Sequence, residues 1–175
     1  MNSDENKLPK RKNLRLRYFD YSAQGAYFIT FCTHNRKNIL SHVVGAIHES
    51  PAIQLTAYGT IVDKIINNLP IHFILEIAQY VIMPNHIHLI VVITDNDDLR
   101  AIRESPLHCR SEISKIIGYI KMNTSKEIHR QYGNITIWQR GFHDRIIRNK
   151  REYEKIAEYI CENPSRWKSD CFYTE

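Results

Sequence analysis

The sequence has no apolar run near the ~18 residues that a membrane-spanning helix needs. Its amino terminus is polar and charged, without the apolar middle of a signal peptide. No G-x-x-x-x-G-K-[ST] loop is present to cradle nucleotide phosphates, so chemistry driven by ATP is not indicated. The four cysteines, Cys32, Cys109, Cys161 and Cys171, show no C-x-x-C spacing, which argues against a thiolate zinc site and against a disulfide framework. Internal repeats and low-complexity segments are also lacking. A soluble cytoplasmic protein with free thiols is the expectation. The 175 residues, 43% hydrophobic and 25% charged, are enough for one domain with a real core.

Negative charge is in modest deficit. The formal net charge is +5 and the isoelectric point lies near 9.0. The excess is clustered. Lys7, Lys10, Arg11, Lys12, Arg15 and Arg17 crowd residues 1–20, read as a basic arm. Arg140, Arg145, Arg148, Lys150 and Arg151 form a second group. Two basic clusters suit a phosphate-backbone partner, although a solvated surface has the same composition. The expected organisation is this arm, a single domain over 21–168, and a tail over 169–175.

Along the chain, Ala26 to Thr33 is an aromatic and β-branched run that predicts a buried strand. Residues 38–52 predict a loop or short hairpin. Leu55, Tyr58, Val62, Ile65, Ile66 and Leu69 recur at helical spacing, and Pro70 ends that helix. Strands are predicted over Ile74–Ile82 and His86–Ile93, joined by a turn at Met83-Pro84-Asn85. The polar residues 94–110 predict a loop. Ile113, Ile116, Ile117 and Ile120 define a second helix, with Ser111 as its N-cap. Ile135 to Trp138 predicts a short strand, and Lys150 to Asn163 a third helix. The order β-α-β-β-α-β-α predicts an α+β fold: a ferredoxin-like split βαβ antiparallel sheet, helices on one face, and an added C-terminal helix.

Two groups of residues could carry chemistry. In His86-Ile87-His88, strand alternation puts both imidazoles on one face, ~7 Å apart at the backbone. They can converge on one metal ion, or be ordinary hydrogen-bonded histidines. Tyr159 and Asn163 are four apart on the last helix and share a face. Tyr159 lies at the margin of the apolar stripe Tyr153, Ile156, Ala157 and Ile160, where a core tyrosine and a reachable hydroxyl are both compatible with the pattern. If that helix crosses the sheet face bearing His86 and His88, Asn163 could offer a third, oxygen ligand. Tyr159 would then stand one turn away, the layout of a cation beside a nucleophile that phosphoryl transfer needs.

The run Tyr80-Val81-Ile82-Met83-Pro84-Asn85-His86-Ile87-His88-Leu89-Ile90 resembles the His-hydrophobe-His core of single-tyrosine (HUH) transposases. Trp138 to Arg148 is similar to a segment of the branch called REP-associated tyrosine transposases, Tyr159 to Pro164 resembles the nucleophile helix, and Tyr27 to Thr33 its first strand. The resemblance implies a catalytic domain over 21–168, with His86, His88 and Asn163 as metal ligands and Tyr159 as nucleophile. Asn163 stands where related insertion-sequence enzymes carry glutamine. The implied cofactor is Mg²⁺ or Mn²⁺, and the implied partner a single-stranded DNA hairpin, cleaved through a 5′-phosphotyrosine and rejoined. Arg11, Lys12, Arg15, Arg17, Lys121, Arg140, Arg145 and Arg148 are the candidate DNA contacts, and Trp138 is either a base-stacking platform or a core residue. Monomer and homodimer stay open, as does the role of residues 36–54.

Three rivals accompany this reading. A non-catalytic hairpin DNA- or RNA-binding module is one, since Gly25 to Phe31 faintly resembles the RNP1 signature of RRM domains, although out of order and on the wrong strand. A hydrolytic metallonuclease would use His86 and His88 with water and would not need Tyr159. A domesticated relative would bind hairpins without moving DNA.

Overall fold

A computed structural model describes residues 24–45, 51–94 and 111–174. Strand β1, Gly25–Cys32, is followed by the hairpin β2, Ser41–Val44, and β3, Ala52–Leu55. Helices α1, Ala57–Asn67, and α2, Leu69–His72, lead to β4, Leu75–Ile82, and β5, His86–Ile93. Helix α3, Glu112–Tyr132, strand β6, His143–Ile147, and helix α4, Lys150–Glu162, complete the main elements. The four-stranded sheet has the order β4-β5-β1-β6, with every neighbouring pair antiparallel. This is the split βαβ arrangement: β1 and β4 run alongside one another with β5 inserted between them. The hairpin is a separate two-stranded sheet that starts within the 38–52 stretch and runs on to Leu55.

Alternation along the strands sorts the core into two faces. Tyr27, Ile29 and Phe31 of β1 and Ile87, Leu89 and Val91 of β5 point to one side. There they pack with Val62 and Ile66 of α1 and Ile113, Ile116 and Ile120 of α3. The other face offers Phe28 and Ile90, covered by Tyr153, Ile156, Ala157 and Ile160 of α4. Full burial of a side chain such as Ile160 is worth roughly 1.5–3 kcal/mol, which fixes α4 against the sheet. His86 and His88 share the parity of Ile90, so α4 covers the histidine-bearing face.

The helix starts follow from their caps. Thr56 accepts from the Gly59 N–H at 3.1 Å, Ser111 from the Ser114 N–H at 3.3 Å, and Asn149 from the Glu152 N–H at 2.9 Å. The Glu152 carboxylate in turn accepts from the N–H of Arg148, the residue before the cap, at 2.9 Å, a second tie at the start of α4. Pro70 does not end the helical region. It sits in the first turn of α2, where its missing N–H costs nothing.

The expected strand over Ile135–Trp138 is corrected. Within it only a single bridge forms, Thr33 to Trp138, and the sheet's edge strand is His143–Ile147. Ile137 and Trp138 are both buried although adjacent, which a strand cannot do on one face. The true strand was hidden because His143, Asp144 and Arg145 give it no apolar alternation. Trp138 is a core residue: its ring packs on Phe31 and its Nε1–H donates to the Thr124 hydroxyl at 2.7 Å. The basic arm with Arg11, Lys12, Arg15 and Arg17 lies outside the described residues, as does most of the 94–110 loop. Among the described residues no helix is long and apolar enough to cross a membrane.

Candidate active site

The histidine pair sits at the start of β5, and each ring is oriented by its own neighbour. The Asn85 Nδ2 group donates to the carbonyls of Phe172 at 2.8 Å and Arg36 at 3.2 Å. That assignment leaves Asn85 Oδ1 facing His86 Nδ1 at 2.9 Å, so Nδ1 carries the proton and Nε2 keeps its lone pair. His88 Nδ1 lies 2.8 Å from the hydroxyl of Thr30, its register partner on β1. The two Nε2 atoms then face each other at 3.1 Å. A proton on His88 Nε2 satisfies this contact, and so does a cation shared by two lone pairs. Imidazoles oriented by a second hydrogen bond are the usual form of histidine ligands.

Asp170 completes the group. One ligand atom each from His86, His88 and Asp170 lies within 4.8 Å of the others, a cluster that could hold a metal ion. Asp170 belongs to the segment expected to be a tail. Instead it follows a 3-10 turn, Trp167–Ser169, and the chain folds back over the site. The Phe172 ring lies 4.6 Å from the His86 ring, and Trp167 at 5.9 Å. Asn163, expected as an oxygen ligand, donates from Nδ2 to Asp170 Oδ2 at 3.0 Å. Its buried Oδ1 has no hydrogen-bond partner, so an acceptor is left over at the site. Two imidazoles, a carboxylate and an unused amide oxygen form a donor set that fits a divalent cation of the Mn²⁺ or Mg²⁺ type.

Tyr159 reaches the same point from α4. Its hydroxyl is 3.2 Å from His88 Nε2, and its ring packs edge-on against Phe28 with 6.2 Å between centroids. The residue is 36% exposed, unlike His86 and His88 at 0% and 1%. Tyr159 thus lies at the margin of the α4 packing, partly exposed, while its hydroxyl meets the buried His88. Burial, aided by the negative charge of Asp170, pushes the phenol up to about 12. Burial pushes His86 down to about 4, with Asp170 opposing and Arg36 adding to the shift. Burial and the neighbouring His86 push His88 down to about 2. Both imidazoles are therefore neutral, the form that binds metal.

The basic candidates separate by place. Lys121 points inward, its Nζ donating to the carbonyls of Gln139 at 2.8 Å and Gly141 at 2.7 Å. It ties α3 to the loop that carries the exposed Arg140. Arg145 lies opposite Phe28 across the sheet and pairs with Glu152 of α4, and Arg148 is exposed at the start of that helix. Sequence reasoning did not find Thr30, Asn85, Arg36, Asp170 or Phe172. Asn85 had a usable signal, its place in the turn directly before His86. Asp170 had none, being over eighty residues from the histidines.

No family model matches the chain. An uncharacterized protein of Haemophilus influenzae is 29% identical over 174 residues, covering 94% of both chains. A second protein of that organism, named for REP-associated tyrosine transposases, is 27% identical over 155 residues, covering 83% of this chain and 73% of its own. Among solved structures, a REP-associated tyrosine transposase bound to a REP hairpin superposes with a TM-score of 0.60 at 21% identity. That match covers 87% of this chain and 74% of the other. The chain is thus similar in sequence to REP-associated tyrosine transposases and shares their fold.

Proposed function

We propose that the protein is a metal-dependent transposase of single-stranded DNA hairpins, cleaving and rejoining one strand through Tyr159. The observation that carries this reading is the placement of the hydroxyl of the partly exposed Tyr159 3.2 Å from one of two facing, neutral, buried histidines. Hairpin DNA as substrate is taken from the similarity to a transposase bound to a REP hairpin.

His86, His88 and Asp170 would hold the cation, and Asn163 Oδ1 could add a further oxygen donor. Mn²⁺ or Mg²⁺ bound there would supply positive charge to polarise a phosphate oxygen and favour the phenolate. Phe28 and the α4 packing hold the phenol ring so that its oxygen can approach phosphorus in line. The new bond is Tyr159 Oη to phosphorus, and the bond that breaks is phosphorus to the 3′ oxygen. The phenol loses its proton, and the departing 3′ oxygen gains one. The strand's 5′ phosphate stays on Tyr159. Attack by a 3′-hydroxyl on that phosphotyrosine restores the phosphodiester, so no external energy source enters. Arg140, Arg145 and Arg148, with Arg11, Lys12, Arg15 and Arg17 of the arm, attract the phosphate backbone. The protein acts in the cytoplasm.

The test is incubation of the full chain with labelled hairpin DNA and Mn²⁺, followed by a denaturing gel. A metal-dependent adduct lost in Tyr159→Phe supports the reading. Cleavage that survives Tyr159→Phe without an adduct replaces it with a hydrolytic metallonuclease. Tight hairpin binding with neither product replaces it with a binding module.

A further inference from the structure

The loop after β1 carries a cation that the site described above has not used. Asn35 and Arg36 both adopt left-handed backbone, with φ of 53° and 51°, although neither is glycine. Strained positions of this kind persist only where their surroundings hold them, and they gather at working sites. Here the hold is explicit. The Arg36 carbonyl accepts from Asn85 Nδ2 at 3.2 Å and from the Thr174 hydroxyl at 3.1 Å. The same Asn85 side chain orients His86, so the Arg36 backbone is built into the histidine site.

The side chain is directed by that conformation. Its Nη1 donates to the Cys171 carbonyl at 3.1 Å, and the guanidinium lies 5.2 Å from the centre of the Phe172 ring. Phe172 in turn stacks on His86. The guanidinium of this exposed residue is therefore held one aromatic ring from the His86 imidazole, by a cation–π contact with Phe172 and a hydrogen bond to the Cys171 carbonyl. One N–H is spent on Cys171. Among the described residues no ion pair joins a carboxylate to the group, and Arg36 is an exposed residue with N–H donors beyond the one given to Cys171.

We propose that Arg36 is a phosphate-contacting residue, gripping a backbone phosphate of the single strand that enters the site. This rests on the reading of the site as one for single-stranded DNA. Two parallel N–H donors match two non-bridging phosphate oxygens, and the fixed stack means little side-chain freedom is lost on contact. The contact places the strand beside His86 and hence in front of Tyr159.

The experiment measures binding of the full chain to a fluorescein-labelled DNA hairpin with an unpaired oligothymidylate flank, in EDTA, across a salt series. Arg36→Gln is expected to melt at the wild-type temperature and to lower the slope of log affinity against log salt by about 0.7, one single-strand phosphate. Arg36→Lys is expected to keep the slope but to bind severalfold more weakly at fixed salt. A folded Arg36→Gln protein with the wild-type slope overturns the proposal. Should Arg36→Gln fail to fold, Arg36→Lys decides: weaker binding than wild type to the charged flank, and equal binding to a methylphosphonate flank, supports it. Equality with wild type on the charged flank overturns it. Wild-type protein that does not bind this hairpin overturns the DNA reading and the Arg36 contact together. Normal binding and adduct formation in every Arg36 variant overturns only the contact.

Discussion

His86 Nε2 and His88 Nε2 face each other at 3.1 Å, and the first of them has no proton to offer because Asn85 claims it on the other nitrogen. Such a contact exchanges a shared proton for a shared cation. Saturating Mn²⁺ is expected to raise the melting temperature, since binding to the folded state alone adds about 2.7 kcal/mol at a hundredfold excess over Kd. His88→Ala and Asp170→Ala should each abolish most of that shift, measured by thermal melting with and without EDTA. A wild-type shift retained in both variants would place the ion elsewhere.

Asn85 acts through His86, and its removal should be felt at the metal. Asn85→Ala frees the His86 ring, removes the amide that serves the Phe172 carbonyl, and leaves the Arg36 carbonyl with the Thr174 hydroxyl in place of two donors. Loss of such an outer partner typically costs 10- to 100-fold in metal affinity. Titration calorimetry with Mn²⁺ on the variant checks this. An unchanged affinity would mean that the ring is held by packing alone.

The approach of α1 to the loop before the hairpin depends on a missing side chain. A Cβ built on Gly59 would stand 2.0 Å from the Leu40 carbonyl oxygen, which also accepts from the Thr56 N–H at 2.9 Å. Gly59→Ala should therefore destabilise despite its better helix propensity, by about 1–3 kcal/mol. Gly118, on α3 with nothing within 4 Å, is the control whose change to alanine should be neutral or stabilising. Urea midpoints of the two variants test the contrast.

Tyr80 gives an alkaline signature. Its hydroxyl donates to Asp63 Oδ1 at 2.6 Å, and burial together with that bond raises the phenol above its ordinary 10.0. A raised folded value means that the folded state holds this proton longer than the unfolded chain. The stabilisation is complete below pH 10.0 and is lost as pH rises through the folded value. Wild-type stability should fall more steeply than that of Tyr80→Phe above that pH. Denaturant midpoints on either side of it would show parallel curves if the bond contributes nothing.

The readable parts of this protein were those with a period or a tight spacing. Strand β5 was legible from His86 to Ile93 because its residues are apolar on one face and bounded by a turn. The Ser111 cap and the isoleucines of α3 likewise stood out. Strand β6 did not, because an edge strand rich in His, Asp and Arg shows no hydrophobic alternation. At the site, His86, His88 and Tyr159 could be named from sequence, yet Asp170 could not. Its meeting with the histidines goes with the short 3-10 turn at Trp167, which has no marked sequence pattern, and with the tertiary contact of Phe172 on His86. Lys121 shows the converse: one basic residue among several in the sequence, it proves to be a strut within the fold.

The central claim is that Tyr159 itself becomes joined to DNA. The most direct measurement is proteolysis and tandem mass spectrometry of the protein after reaction with a DNA hairpin and Mn²⁺. The account predicts a nucleotide mass on the peptide containing Tyr159, absent when EDTA replaces the metal. A nucleotide adduct on any other tyrosine, or cleaved DNA with every tyrosine unmodified, would contradict it.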